Sequence, residues 1–294
     1  MARFELKVTK QFHRRRLGEF LFNEFESLSK AYLRKLLKEG KCELNGFTGN
    51  GGVKLRENDF IEIEIDLKRE KGMVAEEIEL DIVYEDRSIL VLNKPAGVLV
   101  HPTNYERNGT ILNALIFYLN KRKSAFGNEF MRPHLIHRLD RETTGLLLVA
   151  KDAKSSARLC DHFKRKLFVK KYLAVVDGIV KPEAGTISEP IKRFEDRKTW
   201  DIAADGKEAQ SNFRVLNRLA KSTLLELEPV TGRTNQLRIH LASLGHPISG
   251  DLKYGGTKQE RLFLHAQKLE FWHPANSTKI ELKTEIPDGF LNNS

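Results

Sequence analysis

The sequence predicts an α+β protein: a small α/β module over residues 11–67, a linker over 68–77, and a larger domain over 78–290 built on a mixed, largely antiparallel sheet with peripheral helices. Three observations carry this. A chain of 294 residues is near the size at which one core stops growing and a second appears. A hydrophobic content of 40% and an aromatic content of 9% belong to a chain that folds. Beyond the first seventy or so residues, strand-like segments outnumber helical ones and do not alternate regularly with them, which argues against a doubly wound sheet.

In the module, Leu17, Phe20, Leu21 and Phe25 fall on one helical face. A second helix starts at Ser29 as N-cap, with Leu28 and Leu33 placed as a hydrophobic staple, and ends at Gly40. Leu33, Leu36 and Leu37 form its apolar face. Lys30, Arg34, Lys38 and Lys41 recur at helical spacing and make a basic stripe beside it. Cys42-Glu43-Leu44, the Asn45-Gly46 turn and the alternating residues 60–65 read as short strands. The charged, aperiodic Glu70-Lys71-Gly72 stretch marks the linker.

In the larger domain, Ile82-Val83-Tyr84 and residues 89–92 flank a polar turn, as in a hairpin. Thr110 caps a helix running to Leu119. Residues 146–150 read as a buried strand and 153–164 as a helix. Residues 168–176, 211–216 and 222–227 read as strands, and 235–244 as a helix.

The net charge is +10 and the pI about 9.4, spread over both segments, so the excess belongs to folded surfaces rather than to a tail. A polyanionic partner is expected. Two cysteines, Cys42 and Cys160, build neither a disulfide framework nor a cysteine zinc site, which points to a reducing compartment. No signal-peptide core and no membrane-length apolar run is present, so the expected location is the cytoplasm.

Four segments could carry chemistry. The sharpest is His137-Arg138-Leu139-Asp140-Arg141-Glu142-Thr143-Thr144-Gly145-Leu146, a tight polar loop between two strands. It sets an aspartate between two arginines, which favour its ionised form, and a carboxylate at a strand end is a candidate nucleophile. The second runs from Thr231-Gly232-Arg233-Thr234-Asn235 into Gln236-Leu237-Arg238-Ile239-His240, then Gly245-His246-Pro247-Ile248-Ser249-Gly250-Asp251. A helix N-terminus near arginine can bind phosphate or pair with a carboxylate. The third is Lys170-Lys171-Tyr172. The fourth is Asn93-Lys94-Pro95-Ala96-Gly97 with His101-Pro102. Each alone has a bland alternative: a solvated turn, a capped helix, a core tyrosine, a rigid loop.

Taken together and in order, these segments resemble the RluA-type family of pseudouridine synthases. The nucleophile pattern is matched over residues 137–146 except for Thr144 in place of serine. The tail Leu264-His265-Ala266 with His273-Pro274 matches as well, and Asn235 stands where members commonly carry histidine. Residues 11–67 are similar to a small RNA-binding module shared with a ribosomal small-subunit protein, with Gly18 where aspartate is common.

The resemblance implies a catalytic domain with a central cleft that isomerises uridine in structured RNA without cofactor or metal. It implies Asp140 as the catalytic residue and Arg138 as the group that helps displace the base. It further implies Tyr172 as the stacking residue and proton acceptor, and Arg233 as the basic partner of the aspartate. His137, Lys170 and Lys94 are expected to contact substrate, and the Lys30, Arg34, Lys38, Lys41 stripe to contact RNA. Relatives with such a module often act on large-subunit ribosomal RNA, which is the expected substrate; transfer RNA is the alternative, and the chain is expected to act as a monomer.

Two rivals were weighed. A metal hydrolase would need His134-x-x-His137 as ligands, yet on a strand these point to opposite faces. A non-catalytic RNA-binding or ribosome assembly protein fits the charge equally well, but need not keep Asp140, Tyr172 and Arg233 together.

Overall fold

The computed structural model describes residues 2–25, 28, 30–65, 74–103, 105–121 and 131–290. The chain divides into two compact units, Met1–Ala75 with Tyr118–Arg132 and Glu76–Phe117 with Pro133–Ser294.

Unit 1 holds β1 (Ala2–Lys7), α1 (Leu17–Glu24), α2 (Lys30–Lys38), β2 (Cys42–Leu44), β3 (Phe47–Thr48) and β4 (Phe60–Ile65). Its antiparallel sheet has the order β1-β4-β2-β3. In β4 the side chains of Ile61, Ile63 and Ile65 are buried while their neighbours face outward, the period of two of a half-buried strand. They pack with Leu17, Phe20 and Leu21 of α1 and Leu33, Leu36 and Leu37 of α2 in one core. Strand β1 lies ahead of residue 11, where the sequence reading began the module, and pairs along the whole of β4.

Gly18 donates its backbone N–H to the Gly51 carbonyl at 3.0 Å, and a Cβ there would sit 3.1 Å from that oxygen. A side chain at 18 would press on the 49–52 loop, so glycine in place of the commoner aspartate allows the close packing. The expected N-cap at Ser29 and residues 68–73 of the expected linker lie outside the described residues.

The basic stripe is shorter than expected. Lys30 and Arg34 lie over the Phe22 ring at 5.6 and 5.3 Å, and Lys38 is exposed. Lys41 is off the helix: α2 ends at Lys38, Gly40 turns the chain at φ 70°, and Lys41 pairs with Glu64 at 3.5 Å.

The second unit contains, in chain order, β5 (Ile82–Glu85), β6 (Ile89–Lys94), α3 (Ile111–Lys121, whose end reaches into unit 1), β7 (His134–Leu135), β8 (Thr144–Ala150), α4 (Ala153–Lys164) and β9 (Val169–Asp177). There follow β10 (Ala184–Ile187), β11 (Ile191–Phe194), β12 (Thr199–Ile202), β13 (Ser211–Arg218), β14 (Ser222–Pro229), α5 (Gln236–Ser243), β15 (Leu264–Trp272) and β16 (Lys279–Lys283). The main sheet runs β10-β13-β14-β9-β15-β8-β6-β5, with β16 on β15 and β7 on β8. Among its described pairings only β8 with β15 is parallel, so the sheet is mixed and largely antiparallel.

That parallel contact depends on Gly145. It has φ +110°, and a Cβ on it would sit 2.3 Å from the Ala266 carbonyl oxygen. Any side chain would force β15 away from β8 immediately after the loop that carries Asp140. Strand β8 is buried along its whole length, and Leu146, Leu148 and Ala150 pack with Leu159 of α4 and Phe271 of β15.

Local signals behave as the sequence leads one to expect. Thr110 Oγ1 accepts from Asn113 N at 3.3 Å while Asn113 Oδ1 accepts from Thr110 N at 3.1 Å, closing the start of α3. Asp152 caps α4 by accepting from Ser155 N at 2.7 Å. Strands β10, β11, β12 and β16 were not expected: they are only four or five residues long. The β11–β12 hairpin packs Ile191, with Trp200 and Ile202, against Ile239 of α5.

Candidate active site

A hollow of about 300 Å³ opens in unit 2 at the middle of the main sheet. Its wall is the β7–β8 loop, the start of β9, the end of β14, the loop into α5 and the start of β15. Arg138, Lys170, Arg233 and Arg238 line it together with a single carboxylate, Asp140. Tyr172 is on the same wall. Three groups distant in sequence, Asp140, Tyr172 and Arg233, therefore share one electropositive cavity.

The loop that presents Asp140 is held from below. Thr143 N donates to the Asp140 carbonyl at 3.2 Å. Lys94, at the end of β6 and only 1% exposed, donates to the carbonyls of Pro95 at 2.6 Å and Arg141 at 2.8 Å. Lys94 is not on the wall of the hollow: it braces the loop instead of contacting a ligand, a correction to its expected role. Burial pushes its ammonium down to about 8. His137 lines the hollow, but its Nε2 accepts from Leu148 N at 3.1 Å, and burial holds it neutral with a pKa of about 3. One ring nitrogen is thus engaged by strand β8 while the side chain stays on the wall. Arg141 ties this loop to the segment after β6, through the Gly97 carbonyl at 3.2 Å and Glu106 at 3.1 Å.

Thr144, in place of serine, keeps the hydroxyl that matters: it bonds His265 Nδ1 at 2.8 Å and accepts from Arg261 at 2.8 Å. The added methyl is buried with the rest of the side chain.

The partner of Asp140 is not the expected one. Arg233 is exposed on the rim, its Nε donating to the Glu208 carbonyl at 3.0 Å. Arg238 faces the carboxylate, with Nη1 at 3.8 Å from Asp140 Oδ2. Four residues lie between the two arginines, and the loop ends at Asn235, so Arg233 precedes the helix while Arg238 projects from its first turn. Asn235 has φ 55°, a left-handed conformation that asparagine tolerates better than most residues. Its Nδ2 donates to Tyr254 Oη at 2.9 Å. Gln236, 4% exposed, ties the loop down: it accepts from Thr231 Oγ1 and Arg233 N, and donates to the Gln210 carbonyl and Ser211 Oγ.

Asp251 takes the other edge of Arg238, accepting from Nε and Nη2 at 2.7 Å each. Tyr254 lies under the guanidinium at 5.1 Å. Arg238 and Asp251 were visible in the sequence only as members of motifs; the one usable signal was that Arg238 sits a helical turn after Asn235.

Electrostatics revise two further expectations. Burial pushes the Asp140 carboxyl up from the ordinary carboxylate value, and Arg238 and Arg138 pull it back only in part. The arginines temper the cost of burying the charge without cancelling it. Burial, and then the Asp140 charge, also push the Tyr172 phenol above its ordinary value. Tyr172 thus rests as a neutral phenol, suited to stacking and to relaying a proton. Lys170, over the Phe163 ring at 4.6 Å, is pushed down to about 8 by burial.

Among the described residues no group of three or more His, Cys, Asp or Glu side chains is placed to hold a metal ion, and no helix is long and apolar enough to cross a membrane.

Comparison with known proteins supplies the context. A family model described as RNA pseudouridylate synthase matches residues 88–243, which include every wall of the hollow except the start of β15. An RNA pseudouridine synthase of Bacillus subtilis is 33% identical over 98% of this chain and 96% of its own length. The ribosomal large subunit pseudouridine synthase D of Vibrio cholerae is 33% identical over 94% of this chain and 89% of its own. The solved structure of human RNA pseudouridylate synthase domain containing 4 is 28% identical, with a TM-score of 0.58 over 72% of this chain and 90% of that one.

Proposed function

Starting from the fact that this chain belongs to the RNA pseudouridylate synthase family and is an RNA pseudouridine synthase, an isomerase, we propose that it modifies uridines of large-subunit ribosomal RNA with Asp140 as the catalytic residue. The observation that carries this reading is the single carboxylate on the wall of a cation-lined hollow at the centre of the sheet. The substrate class is supported by relatives named for the large ribosomal subunit, matched over nearly the whole chain.

The reaction breaks the N1–C1′ bond, turns the uracil, joins C5 to C1′ and releases the proton on C5. Nothing is oxidised or hydrolysed overall. A stacked uridine hides these atoms, so the nucleotide is everted into the hollow at a cost of a few kcal/mol, on the order of one stacking step. Arg138, exposed at the mouth, is placed to fill the gap the base leaves. Stacking on Tyr172 offsets part of the cost.

Asp140 acts as an ionised carboxylate, by attack at C1′ or by removing the C2′ proton. Arg238, 3.8 Å away, favours the ionised form against the effect of burial. Tyr172, as a neutral phenol, hands on the C5 proton in a relay. Arg233 and Lys170 hold RNA phosphate at the rim. On the same reading the chain acts as a monomer in the cytoplasm, with no cofactor or metal called for because the reaction has no net oxidation or hydrolysis. Unit 1 serves as the RNA-binding module, its contact face being Lys30, Arg34 and Lys38 on α2.

The test is to map pseudouridines in total RNA from a strain lacking the gene, then after return of the wild type or of Asp140→Asn. Specific sites in large-subunit RNA should disappear, return with the wild type, and stay absent with the variant. Loss confined to transfer RNA would move the substrate; no loss would refute the reading.

A further inference from the structure

We propose that Tyr105 is a stacking platform for an unpaired base of the RNA strand beside the target uridine. This rests on the reading of the chain as a modifier of structured RNA with Asp140 at its centre. Tyr105 lies in unit 2, in the segment that joins β6 to α3. It is 96% exposed, whereas the other exposed large apolar side chains of that unit range from 36% to 66%. Single exposed apolar side chains are ordinary on a protein surface, so exposure alone carries nothing. How the ring is held, and where, carries the inference.

The turn beneath the ring is closed by three hydrogen bonds. Thr103 N donates to the Glu106 carbonyl at 2.7 Å, and Thr103 Oγ1 accepts from Tyr105 N at 3.3 Å and from Glu106 N at 3.1 Å. The Glu106 carboxylate then accepts from both Nη atoms of Arg141, the residue that follows Asp140. Arg141 also donates to the Gly97 carbonyl, at the start of the same segment, at 3.2 Å. One side chain of the Asp140 loop thus ties down the stretch on either side of Tyr105. The ring has a set place relative to Asp140 before RNA arrives, which lowers the entropic cost of a contact there.

The surroundings select the partner. His101, in the same segment, is pushed below its ordinary value by burial and then by the Arg138 charge, so the segment comes within reach of the guanidinium at the mouth of the hollow. Arg107, just past Glu106, is exposed. A bare aromatic ring among arginines is an arrangement that grips single-stranded nucleic acid: the cations follow the phosphates and a base stacks on the ring. A continuous duplex offers no free base face along its length, so the platform favours a uridine whose neighbour is unpaired, in a loop or a bulge. Every base has such a face, so the contact selects an open strand and not one base. Tyr105 lies outside all four motif segments, and nothing in the isomerisation itself calls for it.

The experiment has two arms on the full chain. In the first, single-stranded oligouridylate and a fully paired RNA duplex are bound by the wild type, Tyr105→Ala and Tyr105→Phe over a range of salt. Tyr105→Ala should weaken binding of the single strand roughly tenfold, Tyr105→Phe should match the wild type, and the duplex should bind all three alike within about twofold. The ring releases no counterion, so the slope of log K against log salt should be the same in Tyr105→Ala. Tm should not move, since the side chain is almost wholly in water. In the second arm, 2-aminopurine replaces the nucleotide on either side of the mapped uridine. Its fluorescence should be lower in complex with the wild type and Tyr105→Phe than with Tyr105→Ala. Tyr105→Ala that binds the single strand as the wild type does overturns the proposal and leaves the ring to a protein partner. An equal loss on single strand and duplex, or equal fluorescence from all three complexes, overturns it as well. A wild type that modifies no ribosomal uridine counts against the substrate reading alone, because the first arm still decides the role of Tyr105.

Discussion

Lys170 and Lys30 are the same residue type on one basic chain, yet they occupy opposite environments. Lys170 is half-withdrawn into the wall of the hollow in unit 2, where burial pushes its ammonium down to about 8. Lys30 stands exposed on α2 in unit 1, with Arg34 and Lys38 on the same face. The hollow uses few charges, most of them held by named partners, and the cost of desolvating them tunes how they titrate. The α2 face uses charges that stay in water, where each adds a small, salt-sensitive attraction. Burial, not residue type, divides the part suited to chemistry from the part suited to grip.

Four experiments press on that division. The largest effect is expected from Asp140→Asn, which keeps the shape of the hollow. Turnover should fall on the order of 10³-fold or more, while RNA affinity measured by filter binding changes by less than about threefold. Activity that survives would place the chemistry elsewhere.

Next comes the triple variant Lys30→Ala, Arg34→Ala, Lys38→Ala. Affinity should drop by about tenfold at moderate salt, and the slope of log K against log salt should become shallower by roughly 2 to 3. A lowered kcat at saturating RNA, with an unchanged slope, would blur the separation of grip from chemistry.

A subtler effect concerns pH. Lys170 is cationic below about 8 and loses its charge as pH rises through that value, so an alkaline limb in activity is expected there. Lys170→Arg keeps a charge throughout, and the limb should move to higher pH in a rate profile. A limb that stays put excludes Lys170 as its origin.

The smallest effect belongs to Thr144→Ser. The hydroxyl that bonds His265 and Arg261 remains, and only a buried methyl is lost. Melting should fall by the few degrees that about 1 kcal/mol represents, with little change in rate. A large loss of activity would show that the methyl itself sets the position of the loop.

Much of this was legible in the sequence. The alternation of Ile61, Ile63 and Ile65, the Thr110 cap, and the apolar run of β8 are local patterns, and each became the expected element. The gathering of Asp140, Tyr172 and Arg233 around one cavity was expected from ordered motifs. Three things were not legible. Strands β10, β11 and β12 are four residues each and show no clear period, and β16, although Lys279–Lys283 alternates, is only five residues long. Lys41 continued the helical spacing of the stripe, but Gly40 had already ended the helix. Lys94 read as a ligand contact, because a polar residue in a motif gives no sign of whether it faces the hollow or the loop behind it.

Sequence by itself determined the helices and the longer strands, and which residue types are available for the chemistry, because both follow from near neighbours and from side-chain identity. Only the tertiary structure decided that Arg238, and not Arg233, faces Asp140, and that Asp251 holds it there. The direction in which Asp140 titrates was settled in the same way. These depend on distances between groups a hundred residues apart and on how much water the fold excludes, and neither quantity exists until the chain has closed on itself.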